Sequence, residues 1–320
     1  NRRMTDFSDA GAGPAASPLP APLPAVSSVD DAAFSARLAD LSAWRARYSA
    51  NLSSPFGWWS ITALDWLEQG ENLLGSSDGA SLRLPARLPG RAARLDLAEE
   101  SVTVTPIDAE VTMNGEVLTA PTVVPAGTQL FVTDPTGDHV TPAGAAATLP
   151  GSVRVDVIER GGLVGVRVRD PHAAAVRDPG SEIAWFQHDE AWRLPAEFLP
   201  PERDEEVAIT NRIGQVSMEA VVGRVAFTVA GQRHELLATQ GGNGKLFINF
   251  KDDTNGARNG THTYPGGRFI NIDPPVDGRL VIDFNYAHHP PCAHTPYATC
   301  PMPVPGNTLP FAVLAGERSA

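Results

Sequence analysis

From residue 70 onward the chain alternates short runs of hydrophobic and polar residues, and glycine and proline separate the runs. A period of two that is broken by turn-forming residues is typical of antiparallel strands. Asn114-Gly115, between two such runs, indicates a tight hairpin, because both residue types readily adopt positive φ. Turns recur roughly every eight to twelve residues, as in a β-sandwich. The pattern predicts a mainly β protein: a β-sandwich in the first half, then a C-terminal antiparallel β-barrel or sandwich.

One helical segment precedes these strands, because apolar residues recur there at three- and four-residue spacing. This spacing predicts a helix from about Asp31 to Asn51. The residues of its apolar face are Phe34, Leu38, Leu41, Trp44 and Tyr48. The next segment, residues 56–67, is rich in aromatic side chains. Such a segment forms either a core plug where the helix docks or a platform on which a ligand stacks.

These elements divide the chain into three predicted parts. Residues 1–29 contain five prolines between Pro14 and Pro24 and show no periodicity, so we expect a disordered leader. Residues 30–150 are expected to hold the helix and the first β-sandwich. Residues 151–320 are expected to form a C-terminal β-domain that carries the candidate site.

The charge balance excludes some classes of partner. With 25 basic and 37 acidic residues the formal net charge is −12, which argues against nucleic-acid binding and against a polybasic membrane anchor. No apolar run approaches the roughly 18 residues that span a bilayer. We therefore expect a cytoplasmic protein that binds a small molecule and neither nucleic acid nor membrane. The oligomeric state is left open.

Most of the reactive side chains of the C-terminal half lie at predicted strand ends. Arg268 and Lys251 are expected to bind an anionic small molecule, and Asp283 or Tyr264 to exchange protons with pKa values shifted by burial. Strand alternation also predicts that Asp283 and Asn285 share one face. The residues expected to contact the ligand are Arg169, Asp170, Asp253, Asn285 and Asn307. A structural network of salt bridges and turns is the alternative for the whole group.

Histidine and cysteine are concentrated near the C-terminus. His288, His289, Cys292, His294 and Cys300 fall within thirteen residues, and both cysteines of the chain are among them. Imidazole and thiolate are good ligands for divalent transition metals, so a metal site is one hypothesis. The spacing is not that of a zinc finger. A paired or buried pair of cysteines in a proline-stiffened loop, and a cysteine nucleophile activated by a histidine, are the others.

Several motifs carry a resemblance to the uncharacterised family known as domain of unknown function 1684. The C-terminal motif runs from Val281 to Asn285, through His289-Pro290-Pro291-Cys292 and Thr295–Pro301, to Ala315-Gly316-Glu317. The motifs further upstream are Gly57-Trp58-Trp59, Leu64–Leu67, Arg167-x-Arg169-Asp170, Thr254-x-Gly256, Thr263-Tyr264 and Gly267-Arg268. The resemblance covers most of residues 35–317 and implies no established reaction.

Three of this chain's departures from that family's pattern are histidines. Histidines 288, 289 and 294 stand where the family usually has Tyr, Asn and Phe. A histidine-based metal site would therefore be a property of this member.

The glycine-rich turns and strands of residues 70–150 also resemble a forkhead-associated domain. In that family such sandwiches bind phosphothreonine. The arginine and Ser-x-x-His positions that would hold the phosphate are not evident in this chain. The resemblance thus implies the fold and not the phosphopeptide activity.

Three functional hypotheses follow from the sequence. The first is an enzyme acting on a small anionic molecule by acid–base or metal-assisted chemistry of a hydrolase or lyase type. The second is a non-catalytic small-molecule-binding protein. The third is a protein-interaction module, which predicts an exposed apolar patch near Trp58 and Trp59.

Overall fold

The computed structural model of the protein describes residues 31–137, 151–257 and 262–320, so the predicted leader lies outside the described residues. These residues are mainly β, as predicted. The helices are α1 (Asp31–Ser53), α2 (Pro171–Ala175) and α3 (Pro179–Glu182). The strands of the first half are β1 (Ile61–Trp66), β2 (Gly70–Gly75), β3 (Leu82–Arg83), β4 (Ala93–Ala98), β5 (Ser101–Pro106), β6 (Val111–Met113), β7 (Glu116–Val117), β8 (Thr122–Val124) and β9 (Gln129–Val132). Those of the second half are β10 (Val153–Arg160), β11 (Leu163–Arg169), β12 (Ala184–Trp185), β13 (Arg193–Leu199), β14 (Glu206–Thr210), β15 (Val216–Val229), β16 (Gln232–Gln240), β17 (Leu246–Phe250), β18 (Arg268–Ile272), β19 (Arg279–Asp283) and β20 (Glu317–Arg318).

The predicted N-terminal helix is confirmed as α1, which runs two residues beyond Asn51. Trp44 and Tyr48, both on its predicted apolar face, stack with ring centroids 5.5 Å apart. Trp44 also meets the ring of Tyr286 edge-on at 5.2 Å. The helix thus packs against the loop that carries the C-terminal histidines. No described helix is long and apolar enough to cross a membrane.

The first half of the protein is a sandwich of two sheets around one hydrophobic core. One sheet has the order β1-β11-β10-β9-β6-β7 and the other β3-β2-β4-β5-β8, and all pairs are antiparallel except β2 with β3. Side chains from both sheets, such as Leu95 and Val166, belong to one buried cluster. The hairpin at Asn114-Gly115 is confirmed, with φ of 53° and 83°. Alternation places the valines of β10 and β11 in this core and their charged residues on the opposite face.

Strand pairing crosses the predicted domain boundary at residue 150. β10 and β11 follow that position, yet they pair with β9 and β1 of the first sandwich. The change of sheet comes later, between Arg169 and Arg193, where α2 and α3 connect the two halves. The division into domains stays a prediction.

The second half forms a curled antiparallel sheet of seven strands, in the order β18-β17-β16-β15-β13-β19 with β14 attached to β15. Its concave side buries large side chains, including Phe250, Phe284 and Leu236 at 0% exposure. The prediction that Asp283 and Asn285 share a strand face is wrong. β19 ends at Asp283, because this side chain accepts a hydrogen bond from the Asn285 amide (3.0 Å) and starts a 3₁₀ turn over Phe284–Tyr286.

The aromatic segment after α1 lies between the two halves. Trp59 is 2% exposed and packs with Leu52 and Ile183, as expected of a core plug. Trp58 is half-buried, and the guanidinium carbons of Arg167 and Arg169 lie 5.4 and 5.5 Å from its ring centroid. Neither indole presents the exposed apolar patch that a protein-interaction module would need at this place.

Candidate functional site

Arg268 is fully buried at the centre of the C-terminal half. Its guanidinium donates to Asp252 Oδ2 (2.7 Å), to the Val313 carbonyl (2.9 Å) and to the Ala315 carbonyl. Asp252 is also fully buried at its side chain. This cation was predicted to bind a ligand, but here it ties the segment at residues 313–315 to the loop that follows β17.

A second polar cluster, the Tyr48–Glu317 network, joins α1 to the C-terminal segment. The Tyr48 hydroxyl donates to Glu317 Oε2 (2.8 Å) and lies 3.0 Å from His294 Nε2. The same carboxylate oxygen accepts the backbone N–H of His289 (2.7 Å), while Glu317 Oε1 lies 3.4 Å from His289 Nδ1. The Tyr264 amide donates to His289 Nε2 (3.1 Å), so the neutral imidazole of His289 carries its proton on Nδ1, toward Glu317.

Burial shifts the pKa of every titratable group in this network toward its neutral form. It raises the pKa of Glu317 to about 7 and raises that of Tyr48 above its usual value. It lowers the pKa of His294 to about 4, with a further contribution from the positive charge of Arg177. It also lowers the pKa of His289 well below its ordinary value. The network is therefore a set of nearly neutral hydrogen-bonding groups.

The residues predicted to bind a metal do not converge on one point. Within the described ranges, no group of three or more His, Cys, Asp or Glu side chains is arranged to hold a metal ion. His288 Nδ1 faces the Tyr286 carbonyl (3.1 Å), and burial lowers the pKa of His288 to about 4. His289 and His294 belong to the Tyr48–Glu317 network. Cys292 and Cys300 contact each other instead.

The two cysteines form a close pair in the proline-rich loop. The Cys292 amide lies 3.1 Å from Cys300 Sγ, and the Cys300 amide lies 3.3 Å from Cys292 Sγ. Both thiols are free, and the residues are 6% and 7% exposed. A hydrogen bond from Cys300, together with Arg212, lowers the pKa of the Cys292 thiol to about 6, whereas the pKa of Cys300 is raised. Tyr264 and Trp58 pack against the pair.

The predicted acid–base pair is not assembled. Asp283 bonds to Asn285 and lies 4.0 Å from Arg193 Nε, and burial raises the pKa of its carboxyl. Tyr264 packs beside the cysteines, and burial raises its pKa. Among the described residues, no hydrogen bond, ion pair or ring contact joins the side chains of Asp283 and Tyr264. The Lys251 side chain makes no hydrogen bond or ion pair with a described residue, and its backbone pairs with Thr308. Asp253 is exposed.

Arg169 and Asp170, predicted to contact a ligand, have protein partners. Arg169 donates to Asp156 (2.6 Å) and to the Gly57 carbonyl (2.8 Å). Asp170 receives two 2.7 Å bonds from Arg87 and caps the start of α2. Arg169 thereby holds the segment after α1 in place, and Asp170 holds the start of α2. A ligand role for either stays a prediction.

Asn285 and Asn307 also bond to backbone groups. Asn285 is fully buried and is bonded to both backbone groups of Asp189. Asn307 is 2% exposed; it accepts from the Leu237 amide (2.8 Å) and donates to the carbonyls of Leu237 (2.9 Å) and Asn249 (3.0 Å). Asn307 thereby joins β16 to β17 where the two strands diverge.

Replacing Asn307 by alanine is expected to lower the free energy of unfolding by about 2–3 kcal/mol, because it leaves buried backbone groups of two strands unbonded. Urea unfolding followed by circular dichroism measures this. The exposed Asn243 serves as the control, and its replacement by alanine is expected to have a smaller effect. An Asn307→Ala protein with wild-type stability would contradict the structural role and leave ligand contact as the better explanation.

Three arginines near the cysteine pair have no carboxylate partner among the described residues: Arg160, Arg167 and Arg212. Arg167 is 5% exposed, and its guanidinium makes no hydrogen bond with the described part of the chain. Desolvation, and then the charges of Arg169 and Arg160, lower its pKa to about 10. Arg212 is exposed and reaches the Cys292 carbonyl at 3.4 Å.

Of these three arginines, Arg160 lines a cleft of about 300 Å³, and its charge acts on the nearby Arg167. The end of β10 forms one wall, β14 to β16 form another, and Thr299 and Pro301, which flank Cys300, form the third. The polar residues that line it are Arg160, Asn211, Gln215, Ser217, Glu219, Thr239, Gln240 and Thr299. Phe247 lines the cleft and also packs against the cysteine pair. The cleft therefore reaches both halves of the protein.

The main contacts of this region were not predicted from the sequence. Arg167 and Glu317 were named only as parts of motifs, and Tyr48 only as an apolar position of the helix. Arg212 was not singled out. The only available indication was the motif Arg167-x-Arg169, which puts two arginines on one strand face.

The chain was compared with known proteins in three ways. Six solved chains match, among them the solution NMR structure of the uncharacterized protein from gene locus rrnAC0354 of Haloarcula marismortui. That protein is 28% identical, the match covers 43% of this chain and 76% of that one, and the TM-score is 0.36. A search of curated proteins gives no match. Residues 181–318 match the family described as "Protein of unknown function (DUF1684)". The sequence-based prediction is thus confirmed for the C-terminal part of the chain, where residues 181–318 match the model of this family.

Proposed function

We propose that the protein binds a small anionic molecule in the cleft between its two halves. The observation that carries this proposal is Arg167, a buried guanidinium without a hydrogen bond or ion pair in the described chain. An unpaired buried charge is costly, because the protein gives it little in return for its lost hydration. The carboxylate or phosphate of a ligand would supply the missing partner.

The charges around Arg167 favour an anion. It shares the outer face of β10 and β11 with Arg154, Arg169 and Asp156. The carboxylate of Asp156 is shared between Arg154 (2.8 Å) and Arg169 (2.6 Å), which leaves an excess of positive charge on this face. A planar guanidinium suits the bidentate recognition of carboxylate and phosphate.

The surroundings also suit a small molecule. The ring of Trp58 packs on the Arg167 guanidinium and restrains its orientation. A cleft of about 300 Å³ is at the small end of the range for ligand sites. Glu219 is the carboxylate in its lining, so we place the uncharged part of the ligand toward β15 and its anionic group toward Arg160, whose charge also acts on Arg167 behind it.

Replacing Arg167 by glutamine is expected to weaken anion binding about 10- to 100-fold, because one charge-assisted hydrogen-bonding partner is lost. Calorimetric titration with phosphate, succinate, citrate and adenosine monophosphate measures this. Arg233→Gln is the matched control, since Arg233 is an exposed arginine paired with Glu197 and Glu235. The proposal fails if none of these anions binds the wild-type protein, or if both variants bind them equally well.

An enzyme is the second candidate, and Asp283 is the residue that favours it. Its carboxyl has a raised pKa because of burial, and its lone hydrogen-bonding side-chain partner among the described residues is Asn285. A buried carboxyl with a raised pKa is a candidate general acid or base. Incubating any anion that binds with wild-type protein and with Asp283→Asn, and following the products by NMR, tests this candidate. Unchanged turnover in the variant would exclude Asp283 as the acid or base.

A further inference from the structure

The Cys292–Cys300 pair has the geometry of a reactive dithiol. Each sulfur faces the backbone N–H of the other cysteine, at 3.1 and 3.3 Å. The neutral Cys292 thiol also donates to the Ala298 carbonyl at 3.2 Å, which holds its sulfur inside the turn between the two cysteines. The reciprocal contacts, together with the hydrogen bond between the two thiols, place the two sulfurs next to each other.

The surroundings stabilise negative charge on this pair. The two N–H groups point at the sulfurs, Arg212 lies beside Cys292, and Arg167 acts on Cys300 through its charge. Amide dipoles and arginines favour a thiolate over a thiol. The lowered pKa of Cys292 agrees with this arrangement. Cys292 is therefore the better nucleophile of the two, and Cys300 lies in position to react with it.

Access to the pair is narrow. The two residues are 6% and 7% exposed, so a bulky disulfide such as oxidised glutathione has no direct approach to either sulfur. The cleft comes close to the pair, because its lining residues Thr299 and Pro301 flank Cys300. Since both cysteines are buried, a reagent close to the size of water is the one that suits this site. Hydrogen peroxide meets this requirement.

We propose that Cys292 and Cys300 form a peroxide-reactive site, in which Cys292 is oxidised first and Cys300 then closes a disulfide with it. This proposal does not rest on anion binding. The Cys292 thiolate attacks one oxygen of hydrogen peroxide, the O–O bond breaks, and the leaving hydroxide takes up a proton to give water. The Cys300 thiol attacks the resulting sulfenic acid, an S–S bond forms, and a second water leaves. Two thiols are oxidised and one peroxide is reduced.

The wild-type protein provides the first test. After treatment with hydrogen peroxide, intact-mass analysis is expected to show the loss of two hydrogen atoms, and no cysteine should react with iodoacetamide after unfolding. Dithiothreitol should restore two reactive thiols. A chain that keeps both thiols, gains oxygen without losing hydrogen, or forms only disulfide-linked dimers would overturn the proposal.

The order of the steps is tested with two matched variants, Cys300→Ser and Cys292→Ser. The first is expected to accumulate a sulfenic acid on Cys292, which dimedone traps. The second is expected to react with peroxide at least about tenfold more slowly. Equal rates in the two variants would overturn the assignment of Cys292 as the first residue to react. Arg233→Gln, at an exposed arginine that belongs to neither site, should still form the disulfide at the wild-type rate.

Discussion

Replacing Arg268 by methionine is expected to lower the free energy of unfolding by about 3–5 kcal/mol, the usual cost of removing one partner of a buried ion pair. The substitution leaves Asp252 as an uncompensated charge at 0% side-chain exposure. It also leaves the carbonyls of Val313 and Ala315 without their donor. Methionine keeps much of the length of the side chain. The lost stability therefore reflects the missing charge and hydrogen bonds more than a change in packing.

Urea unfolding followed by tryptophan fluorescence measures this effect. Arg233→Met is the control, because that arginine is about half exposed and surface ion pairs contribute less than about 1 kcal/mol. The double variant Arg268→Met/Asp252→Leu should recover part of the loss, since it removes the orphaned carboxylate as well. If Arg268→Met unfolds like the wild type, the buried pair is not a structural tie, and ligand binding by Arg268 regains support.

The stability of the protein is expected to rise as the pH increases from about 4 to 6.5. His288 and His294 have folded-state pKa values of about 4 against 6.5 for an ordinary histidine, so the unfolded chain binds more protons across this window. Each contributes up to about 3 kcal/mol. Glu317 opposes this trend. Its folded-state pKa of about 7 exceeds the usual 4.5, so the folded chain binds its proton more tightly and loses that advantage as the pH rises from 4.5 to 7.

Urea unfolding at a series of pH values from 4 to 8 measures the free energy of unfolding, and so shows whether the histidines or Glu317 contribute more to its pH dependence. Because two histidines with shifts of this size stand against one glutamate, the wild type should gain stability toward neutral pH. Glu317→Gln should gain it more steeply, since the opposing contribution is gone, whereas His294→Gln should gain it less. A wild-type stability that falls between pH 4 and 6.5 would contradict the assignment of these histidines as buried and neutral.

Local structure was the part of the fold that the sequence could predict. The three- and four-residue spacing around Tyr48 predicts α1 to within two residues, and Asn114-Gly115 predicts a hairpin that is present. Both elements depend on residues that are close together in the chain. β1 was missed because its sequence, Ile61–Trp66, lies inside an aromatic run that shows no clear alternation. The end of β19 was misplaced because Asp283 caps the following turn.

The sequence predicts the residue types of the candidate site but not which of these residues contact each other. The sequence identifies the residues rich in donors, such as Arg268 and the C-terminal histidines. It does not show that Arg268 meets Asp252, or that His294 meets Tyr48 from a helix formed far earlier in the chain. These contacts form where elements that are far apart in the sequence pack together. A single sequence contains no residue spacing from which such contacts can be predicted.

The bond between Tyr48 and Glu317 also constrains when the protein can finish folding. The two residues are 269 positions apart. At a synthesis rate of about 5–20 residues per second, α1 leaves the ribosome some tens of seconds before its carboxylate partner exists. During that interval Trp185 can cover part of the aromatic face of the helix, but the part that packs on residues 286–317 stays uncovered. Co-translational chaperone capture is therefore expected to concentrate on α1, and to end once residue 317 has emerged.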